Sequence, residues 1–276
     1  MTSQVERMRQ YFRDIKNNLA NNYYQFRINT DQDPYQIRFR EKPFRILFIL
    51  SHMRSGSSLL THLLNSNPEI IGYGETHINY SSELDFKNLM FKVYWKIKNY
   101  QMNHKYVLDK VLHNHKFLAD DFLVSDQVYS IFLLRKPQRT LASILEIKPH
   151  WSEEKAFIYY QERLDLLESY ARLTNNKKQS FFITHEQLID QTDLVFNGLK
   201  NFLETQESFS EQYETLRTTG RKGIGDSSEN IKAGYIIRNR TQIDTKFSGE
   251  LVEKATHSFQ KCLTTLSTHC STIDTK

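Results

Sequence analysis

Residues 44–64 of this chain, FRILFILSHMRSGSSLLTHLL, constrain its fold more than any other stretch. They begin with a continuous apolar run at 46–50, which is typical of a buried parallel strand. A polar turn rich in serine follows at 51–58. Leucines at 59, 60, 63 and 64 then recur at the spacing of an amphipathic helix. The sequence therefore predicts a strand, a tight turn and a helix in direct succession.

The turn has the composition of an anion-binding loop. Its amides and the N-terminus of the following helix point to one place, where the helix dipole favours negative charge. Gly56 permits close approach of the backbone, Ser57 and Ser58 add hydroxyl donors, and Arg54 adds a fixed positive charge. We expect this loop to bind a phosphate or sulfate ester. The alternative is a serine-rich turn that only caps an ordinary helix.

Further apolar strands alternate with amphipathic helices along the chain. Strands are predicted at 70–73, 128–134 and 181–184, and residues 106–113 fit a strand or a helix. Helices are predicted at 5–21, 84–100, 137–147, 151–173, 193–203 and 249–266. This alternation predicts an α/β fold in which a parallel sheet carries helices on both faces. We expect a single domain over residues 1–276, with its core at about 44–240, a polar N-terminal extension and a C-terminal helix.

Composition indicates the class of protein, its expected location and the charge of its ligand. The chain of 276 residues is 39% hydrophobic and 25% charged, as in ordinary globular proteins. We find neither the apolar run of a signal peptide nor a membrane span of about 18 apolar residues. A cytoplasmic location is therefore expected, with Cys262 and Cys270 as unpaired thiols. The net charge of +5 suits an anionic ligand, but no long basic run indicates a nucleic-acid partner.

The turn does not match the P-loop of nucleoside triphosphatases. That motif requires glycine, four residues and then Gly-Lys-Ser or Gly-Lys-Thr. Here Ser51 occupies the first position and no lysine follows Gly56. No predicted strand ends in the aspartate that would hold Mg²⁺. The sequence therefore argues against a nucleotide kinase or hydrolase.

A second pair of phosphate-binding residues follows the predicted strand at 128–134. Arg135 stands where a parallel strand ends, which is the edge at which such sheets bind ligands. Ser143 lies about two turns into the next helix. An arginine fork and a serine hydroxyl together suit a phosphate. Two separate phosphate sites predict a ligand with phosphates at two ends.

These motifs resemble those of the sulfotransferases that use 3′-phosphoadenosine 5′-phosphosulfate (PAPS). The loop at 54–60 resembles the 5′-phosphosulfate loop of that family, and Arg135 with Ser143 resembles its 3′-phosphate motif. The stretch at 185–189 resembles a segment that follows a core strand of the family. The resemblance implies a donor site formed by Arg54, Ser55, Gly56, Ser57, Ser58, Arg135, Ser143, Arg221, Lys222 and Gly223.

The resemblance covers residues 45 to about 226 in family order and implies a P-loop-like α/β fold. At position 54 the chain resembles the bacterial and carbohydrate sulfotransferases, which have arginine there. The cytosolic small-molecule enzymes have lysine at this position. Residues 221–226 resemble the late loop that closes over the 3′-phosphate and adenine. That loop is one residue shorter between Gly223 and Gly225 than the commonest family form. No aromatic residue is clearly placed to stack on adenine.

Sulfuryl transfer needs a base near the acceptor and cations around the moving group. Glu75 follows the predicted strand at 70–73, and similar sulfotransferases with an Arg-Ser-Gly-Ser loop carry a glutamate after this strand. Lys110 resembles a lysine that many family members place at the end of the corresponding strand. His113 and His77 are alternative bases. The spacing of His113 and His115 does not indicate a zinc site.

The sequence thus predicts an enzyme that moves the sulfuryl group of PAPS to an acceptor hydroxyl or amine by in-line displacement. No metal is required, because the leaving group is a phosphate. The alternatives are a nucleotide-binding protein without catalysis and a P-loop nucleotide kinase. The acceptor, which is a small molecule, lipid or sugar, is expected to contact residues 81–103 and 150–163. Candidate aromatic contacts are Tyr80, Tyr94, Trp95 and Trp151. The oligomeric state is not predicted.

Overall fold

The computed structural model describes residues 4–29, 32–216, 219, 229–238 and 247–273. Five strands form its sheet: β1 (Arg45–Ser51), β2 (Ile70–Ile71), β3 (Tyr106–Val111), β4 (Val128–Leu134) and β5 (Ser180–Thr184). Their order across the sheet is β2-β3-β1-β4-β5, and every pair of neighbours is parallel. The carboxyl ends of all five strands therefore meet at one edge of the sheet.

Helices cover both faces of this sheet, as the alternation of strands and helices predicts. One face carries α1 (Gln4–Ile28), α3 (Asp85–Ile97), α4 (Pro137–Ile147), α5 (Glu153–Thr174) and α9 (Gly249–His269). The other face carries α2 (Ser57–Asn65), α6 (His185–Asp190) and α7 (Thr192–Leu203). A short helix, α8 (Glu229–Lys232), and two 3-10 turns at Asn114–Lys116 and Asp121–Val124 complete the described elements.

The alternation of side chains along β1 separates two hydrophobic cores. Phe48 and Leu50 pack on the face covered by α1, α3, α4, α5 and α9. Leu47 and Ile49 pack on the face covered by α2, α6 and α7. Because β1 is central and covered on both sides, its interior is a continuous apolar run. This arrangement confirms the predicted α/β fold; the extent of the single domain stays a prediction.

The observed elements differ from the expected ones mainly at their ends. Residues 106–113, which fitted a strand or a helix, form strand β3, and all six of its residues are buried. The helix predicted to end at residue 21 continues to Ile28, because Tyr24 and Ile28 are completely buried. Helix α3 stops before Lys98, whose φ of 63° is left-handed. The late loop expected at 221–226 lies outside the described residues.

Two further expectations concern the cysteines and the membrane. Cys262 and Cys270 are free, buried thiols. Burial raises the pKa of the Cys270 thiol to about 12, so this thiol stays protonated at neutral pH. Within the described ranges, no helix combines the length and apolar character needed to span a bilayer.

Candidate active site

The turn between β1 and α2 forms a compact loop at the carboxyl edge of the sheet. The Ser51 hydroxyl donates to the carbonyl of Leu133 on β4 at 2.5 Å, and it is hydrogen-bonded to the Ser55 hydroxyl at 2.6 Å. The Ser57 amide donates to the Ser55 hydroxyl oxygen at 3.3 Å. Gly56 caps α2 with a φ of 94°, a left-handed conformation that disfavours any side chain. The loop therefore presents the first turn of α2 at the strand ends.

The two predicted phosphate motifs contact each other directly. The Arg54 Nε donates to the Ser143 hydroxyl at 2.7 Å, which joins the loop after β1 to helix α4. The Arg135 Nη1 donates to the carbonyl of Arg54 at 2.9 Å. Both Arg135 and Ser143 are buried. The structure thus links the two motifs, which follow the neighbouring strands β1 and β4, through one bond between side chains and one bond from a side chain to the backbone.

A small cavity of about 90 Å³ opens beside Arg135. Besides Arg135 it is lined by Arg139, His185, Glu186, Ile189, Asp190 and Arg238. Arg238 forms an ion pair with Glu211, with 2.5 Å between Nη2 and Oε1, so its charge is already compensated. Arg135 and Arg139 supply the remaining arginine charge along this wall.

Lys110 reaches the loop after β1 from the neighbouring strand β3. Its Nζ donates to the Ser58 hydroxyl at 3.2 Å and lies 3.6 Å from the Glu75 Oε1. The side chain of Lys110 is 2% exposed and that of Glu75 is 16% exposed. The register of the sheet explains this contact, because Lys110 lies opposite Ile49, close to the end of β1. The Lys110 ammonium therefore lies beside both the Glu75 carboxylate and the first turn of α2.

Asp109 fixes the segment that carries Glu75. Its buried carboxylate accepts hydrogen bonds from the Thr76 amide at 2.9 Å, the Thr76 hydroxyl at 2.6 Å, the Tyr80 hydroxyl at 2.6 Å and the Lys110 amide at 2.8 Å. Burial raises the pKa of Asp109, and these hydrogen bonds oppose that rise. Because Thr76 follows Glu75 directly, Asp109 determines where Glu75 lies.

The two alternative bases lie further along their segments. His113 is half-buried beyond the end of β3, and its ring stacks on His115 with 5.6 Å between centroids. Burial lowers the pKa of His113, and the charge of Glu75 opposes that change. His77 is exposed, with a left-handed φ of 58°. In the described part of the chain, the hydrogen bond and ion pair of Lys110 go to Ser58 and Glu75 rather than to His113.

A buried arginine on α5, which the sequence did not single out, ties two strand ends together. The Arg163 Nε donates to the carbonyl of Ser51 at 2.7 Å, and its Nη2 donates to the carbonyl of Val111 at 2.7 Å. Its Nη1 contacts the Asn114 Oδ1 at 3.3 Å. Arg163 is completely buried. A charged residue on the apolar stripe of α5 was the signal in the sequence that could have identified it.

Two tyrosines on the same helix extend this contact. The Tyr159 hydroxyl accepts from the Met53 amide at 2.8 Å and donates to the carbonyl of Leu112 at 2.9 Å. The Tyr160 hydroxyl donates to the carbonyl of Arg135 at 2.8 Å. Helix α5 therefore contacts the chain at the ends of β1, β3 and β4, the strands that carry the candidate site residues.

His52 is a further buried residue of the loop that the sequence did not predict to matter. Its Nε2 accepts from the Arg135 amide at 3.1 Å, so its Nδ1 carries the proton and donates to the carbonyl of Met53 at 2.9 Å. Burial, together with the charges of Arg135 and Arg163, lowers the pKa of His52 to about 3. The His52 ring is therefore neutral, and it bonds the backbone at Met53 in the loop after β1 and at Arg135 after β4.

The structure describes some of the other residues that the sequence predicted to belong to the site. Arg221, Lys222 and Gly223 lie outside the described residues. Tyr80 and Tyr94 are completely buried, so they pack in the core instead of lining an acceptor pocket. Trp95 and Trp151 are partly buried at the margin of that core. A cavity of about 1020 Å³ beside β2 includes Lys96, Ile97 and Asn99 from the segment expected to contact the acceptor, together with Tyr73.

Comparisons with known proteins concern the fold. No protein-family model matches the chain, and no curated protein matches it. Among solved structures, the sulfotransferase domain of the Synechococcus PCC 7002 olefin synthase aligns with 82% of this chain and 98% of its own, at 14% identity and a TM-score of 0.53. The sulfotransferase domain of the curacin biosynthetic pathway aligns with 82% of this chain and 99% of its own, at 14% identity and a TM-score of 0.47. Retinol dehydratase in complex with retinol and PAP covers 89% of this chain and 86% of its own, at 10% identity and a TM-score of 0.45. The chain therefore has an α/β fold of the kind found in the olefin synthase sulfotransferase domain.

Proposed function

We propose that this protein is a sulfotransferase that moves the sulfuryl group of PAPS to an acceptor hydroxyl or amine. The observation that carries the proposal is the contact between the two phosphate motifs, in which Arg54 bonds Ser143 and Arg135 bonds the backbone of Arg54. A donor with phosphates at both ends of a nucleoside requires two such sites on one surface. The shared fold with a sulfotransferase domain supports the same function.

In this proposal the donor spans the edge of the sheet from β1 to β4. The amides at the start of α2, with Ser55, Gly56, Ser57 and Ser58, hold the phosphosulfate. Arg135 and Ser143 hold the 3′-phosphate, since an arginine fork and a hydroxyl match phosphate oxygens. The late loop at 221–226 is proposed to close over the nucleotide, because it resembles the corresponding loop of the family.

The transfer is proposed to be an in-line displacement at sulfur. The bond between sulfur and the bridging oxygen of the donor breaks while the acceptor oxygen or nitrogen bonds to sulfur, which releases 3′-phosphoadenosine 5′-phosphate. Glu75 accepts the proton of the acceptor. Lys110, held between Ser58 and Glu75, neutralises charge that develops on the leaving phosphate. This chemistry requires no metal, because a phosphate is already a good leaving group.

Binding of the product nucleotide tests this proposal. Isothermal titration of the full chain with 3′-phosphoadenosine 5′-phosphate should show a single site. Arg135→Ala should weaken binding about ten- to a hundredfold, because hydrogen bonds to a charged group contribute about 1.5–3 kcal/mol. Lys136→Ala removes an exposed charge at the next position and serves as the control, with little change expected.

Transfer of labelled sulfate from PAPS to a panel of hydroxyl and amine acceptors distinguishes the alternatives. Binding without any transfer would indicate a nucleotide-binding protein without catalysis. Cleavage of ATP in the presence of Mg²⁺ would indicate a kinase or hydrolase. Absence of nucleotide binding would overturn the proposal.

A further inference from the structure

The first half of α1 has an unusual surface. All residues from Glu6 to Lys16 are exposed, although several are large and apolar. Between Glu6 and Leu19 the large apolar side chains that are exposed are Met8, Tyr11, Phe12, Ile15 and Leu19. Phe12 is 63% exposed and Leu19 is 66% exposed, so neither packs on the body of the protein. We name these five side chains the α1 stripe.

The α1 stripe lies on the side of the helix that faces away from the core. Its members are three or four residues apart or adjacent, so they fall on one face at about 100° per residue. The buried row of the same helix, Ala20, Tyr24 and Ile28, has a spacing of four. By the same helical geometry, this row is about 160° from the middle of the stripe. Helix α1 therefore has two apolar faces, and only one of them is used for folding.

The apolar surface continues past the stripe. Phe26 lies on the same side of α1 and is 45% exposed, and its ring is 6.1 Å from that of Phe39. Phe39 is 79% exposed. Its backbone is left-handed, with a φ of 63°, a conformation that costs free energy for a bulky residue. The Arg38 guanidinium lies 4.3 Å from the centroid of the Phe26 ring. Aromatic and basic groups are thus interleaved along one surface.

Basic side chains flank the stripe on both sides. The exposed part of the helix contains four basic residues, Arg7, Arg9, Arg13 and Lys16, and two acidic ones, Glu6 and Asp14. By helical geometry Arg9 and Lys16 lie along one edge, and Arg7 lies along the other edge beside Asp14. An apolar face bordered mainly by Lys and Arg, on a helix whose exposed residues away from that face are polar, is the pattern of helices that lie in the interface of a membrane.

We infer that α1 docks this protein onto an anionic lipid surface, with the α1 stripe in the interface and the flanking basic residues at the headgroups. The charges favour this partner over a second copy of the chain. Antiparallel pairing of two α1 stripes would bring Arg9 and Lys16 of one copy beside the same residues of the other. Such like charges repel, whereas phosphate and carboxylate headgroups attract them.

Co-sedimentation of the full chain with lipid vesicles tests the inference. Binding to phosphatidylcholine vesicles with about 30% phosphatidylserine is expected, and weaker binding to phosphatidylcholine alone. Phe12→Ser with Leu19→Ser should lower the partition coefficient by about a hundredfold, because each large apolar side chain contributes about a tenfold change or more. Arg9→Gln with Lys16→Gln should lower binding to the anionic vesicles about fivefold for each charge removed.

Gln10→Ser with Asn18→Ser is the matched control, because both residues are exposed on the same helix and neither belongs to the α1 stripe. This variant should bind vesicles as the wild type does. Circular dichroism shows whether each variant is folded. The inference is overturned if the wild type stays in the supernatant with every vesicle, or if the stripe variant sediments like the wild type. It is equally overturned if light scattering shows a wild-type dimer that the stripe variant converts to a monomer.

Discussion

At the scale of single residues, the position of one carboxylate determines what the candidate site can do. Glu75 lies 3.6 Å from the Lys110 ammonium because Asp109 holds the next residue, Thr76, through two hydrogen bonds. A base must lie within reach of the proton that it accepts, so this placement favours Glu75 over the exposed His77.

Replacement of Glu75 by glutamine should therefore lower kcat for sulfate transfer by about 10²–10⁴-fold, the usual contribution of a general base. Affinity for 3′-phosphoadenosine 5′-phosphate should change little, because Glu75 is not among the residues proposed to bind the phosphates. Steady-state kinetics and titration measure the two quantities. Glu146→Gln removes an exposed carboxylate on α4 and should leave both unchanged. Full activity of Glu75→Gln would transfer the role of base to His113 or His77.

The sequence indicated some of these residues and missed others for a physical reason. Arg54, Arg135 and Ser143 could be predicted at one edge of the sheet, because the ends of parallel strands meet there. Their direct contact was not predicted, since the sequence indicated two separate phosphate sites. The roles of Asp109 and Arg163 could not be predicted, because most of their hydrogen-bond partners lie on distant segments of the chain. Each does interrupt an apolar pattern, and a charged residue at a position expected to be buried is the signal that both share.

At the scale of elements, the periodicity of apolar residues predicted most strands and helices. The main error was the end of α1, which was predicted at residue 21, although Asn21 and Asn22 do have a low intrinsic helix propensity. Burial of Tyr24 and Ile28 overrides that local preference, since packing outweighs differences of intrinsic helix propensity. Strand β2 ends at Ile71 and does not include Tyr73. Strand pairing depends on the neighbouring strand, which a local pattern does not report.

The link between β1 and α2 depends on one glycine. Gly56 has a φ of 94°, and a Cβ there would clash with the Cδ2 of His185. Gly56→Ala should therefore lower the free energy of unfolding by about 1–2 kcal/mol from backbone strain alone, and it should weaken nucleotide binding. Urea unfolding and titration are the measurements.

Gly249→Ala is the control for this prediction. Gly249 begins α9, and a Cβ there would meet no atom within 4 Å. Its replacement should leave both unfolding and nucleotide affinity essentially unchanged. Equal effects of the two substitutions would contradict the role assigned to Gly56.

At the scale of the whole molecule, stability should depend on acid through histidines that fold in the neutral form. Burial lowers the pKa of His52 to about 3 and that of His104 to about 4. As the pH falls, these histidines are protonated in the unfolded chain near the ordinary histidine pKa of 6.5, at a higher pH than in the folded chain. Their contribution is therefore complete above that value and is lost progressively as the pH falls toward 3.

His52→Gln should flatten this dependence. Between about pH 6 and 4, the wild type should lose about 1.4 kcal/mol more per pH unit than the variant, which corresponds to one proton. Urea unfolding at a series of pH values measures the slope. A difference in overall stability between the variant and the wild type does not affect the test, because only the difference between their slopes against pH reports the titration of His52. Parallel slopes would show that His52 is protonated in the folded protein.

Helix α5 has a consequence for how such a protein can evolve. Tyr159, Tyr160 and Arg163 bond the backbone at the ends of β1, β3 and β4, so a single helix holds three strand ends at once. Most backbone partners of these side chains are carbonyl groups, which every amino acid supplies. The strand-end residues can therefore be exchanged in descendants without losing this support. The three side chains of α5 have no such freedom, and lineages that retain the site should retain them together.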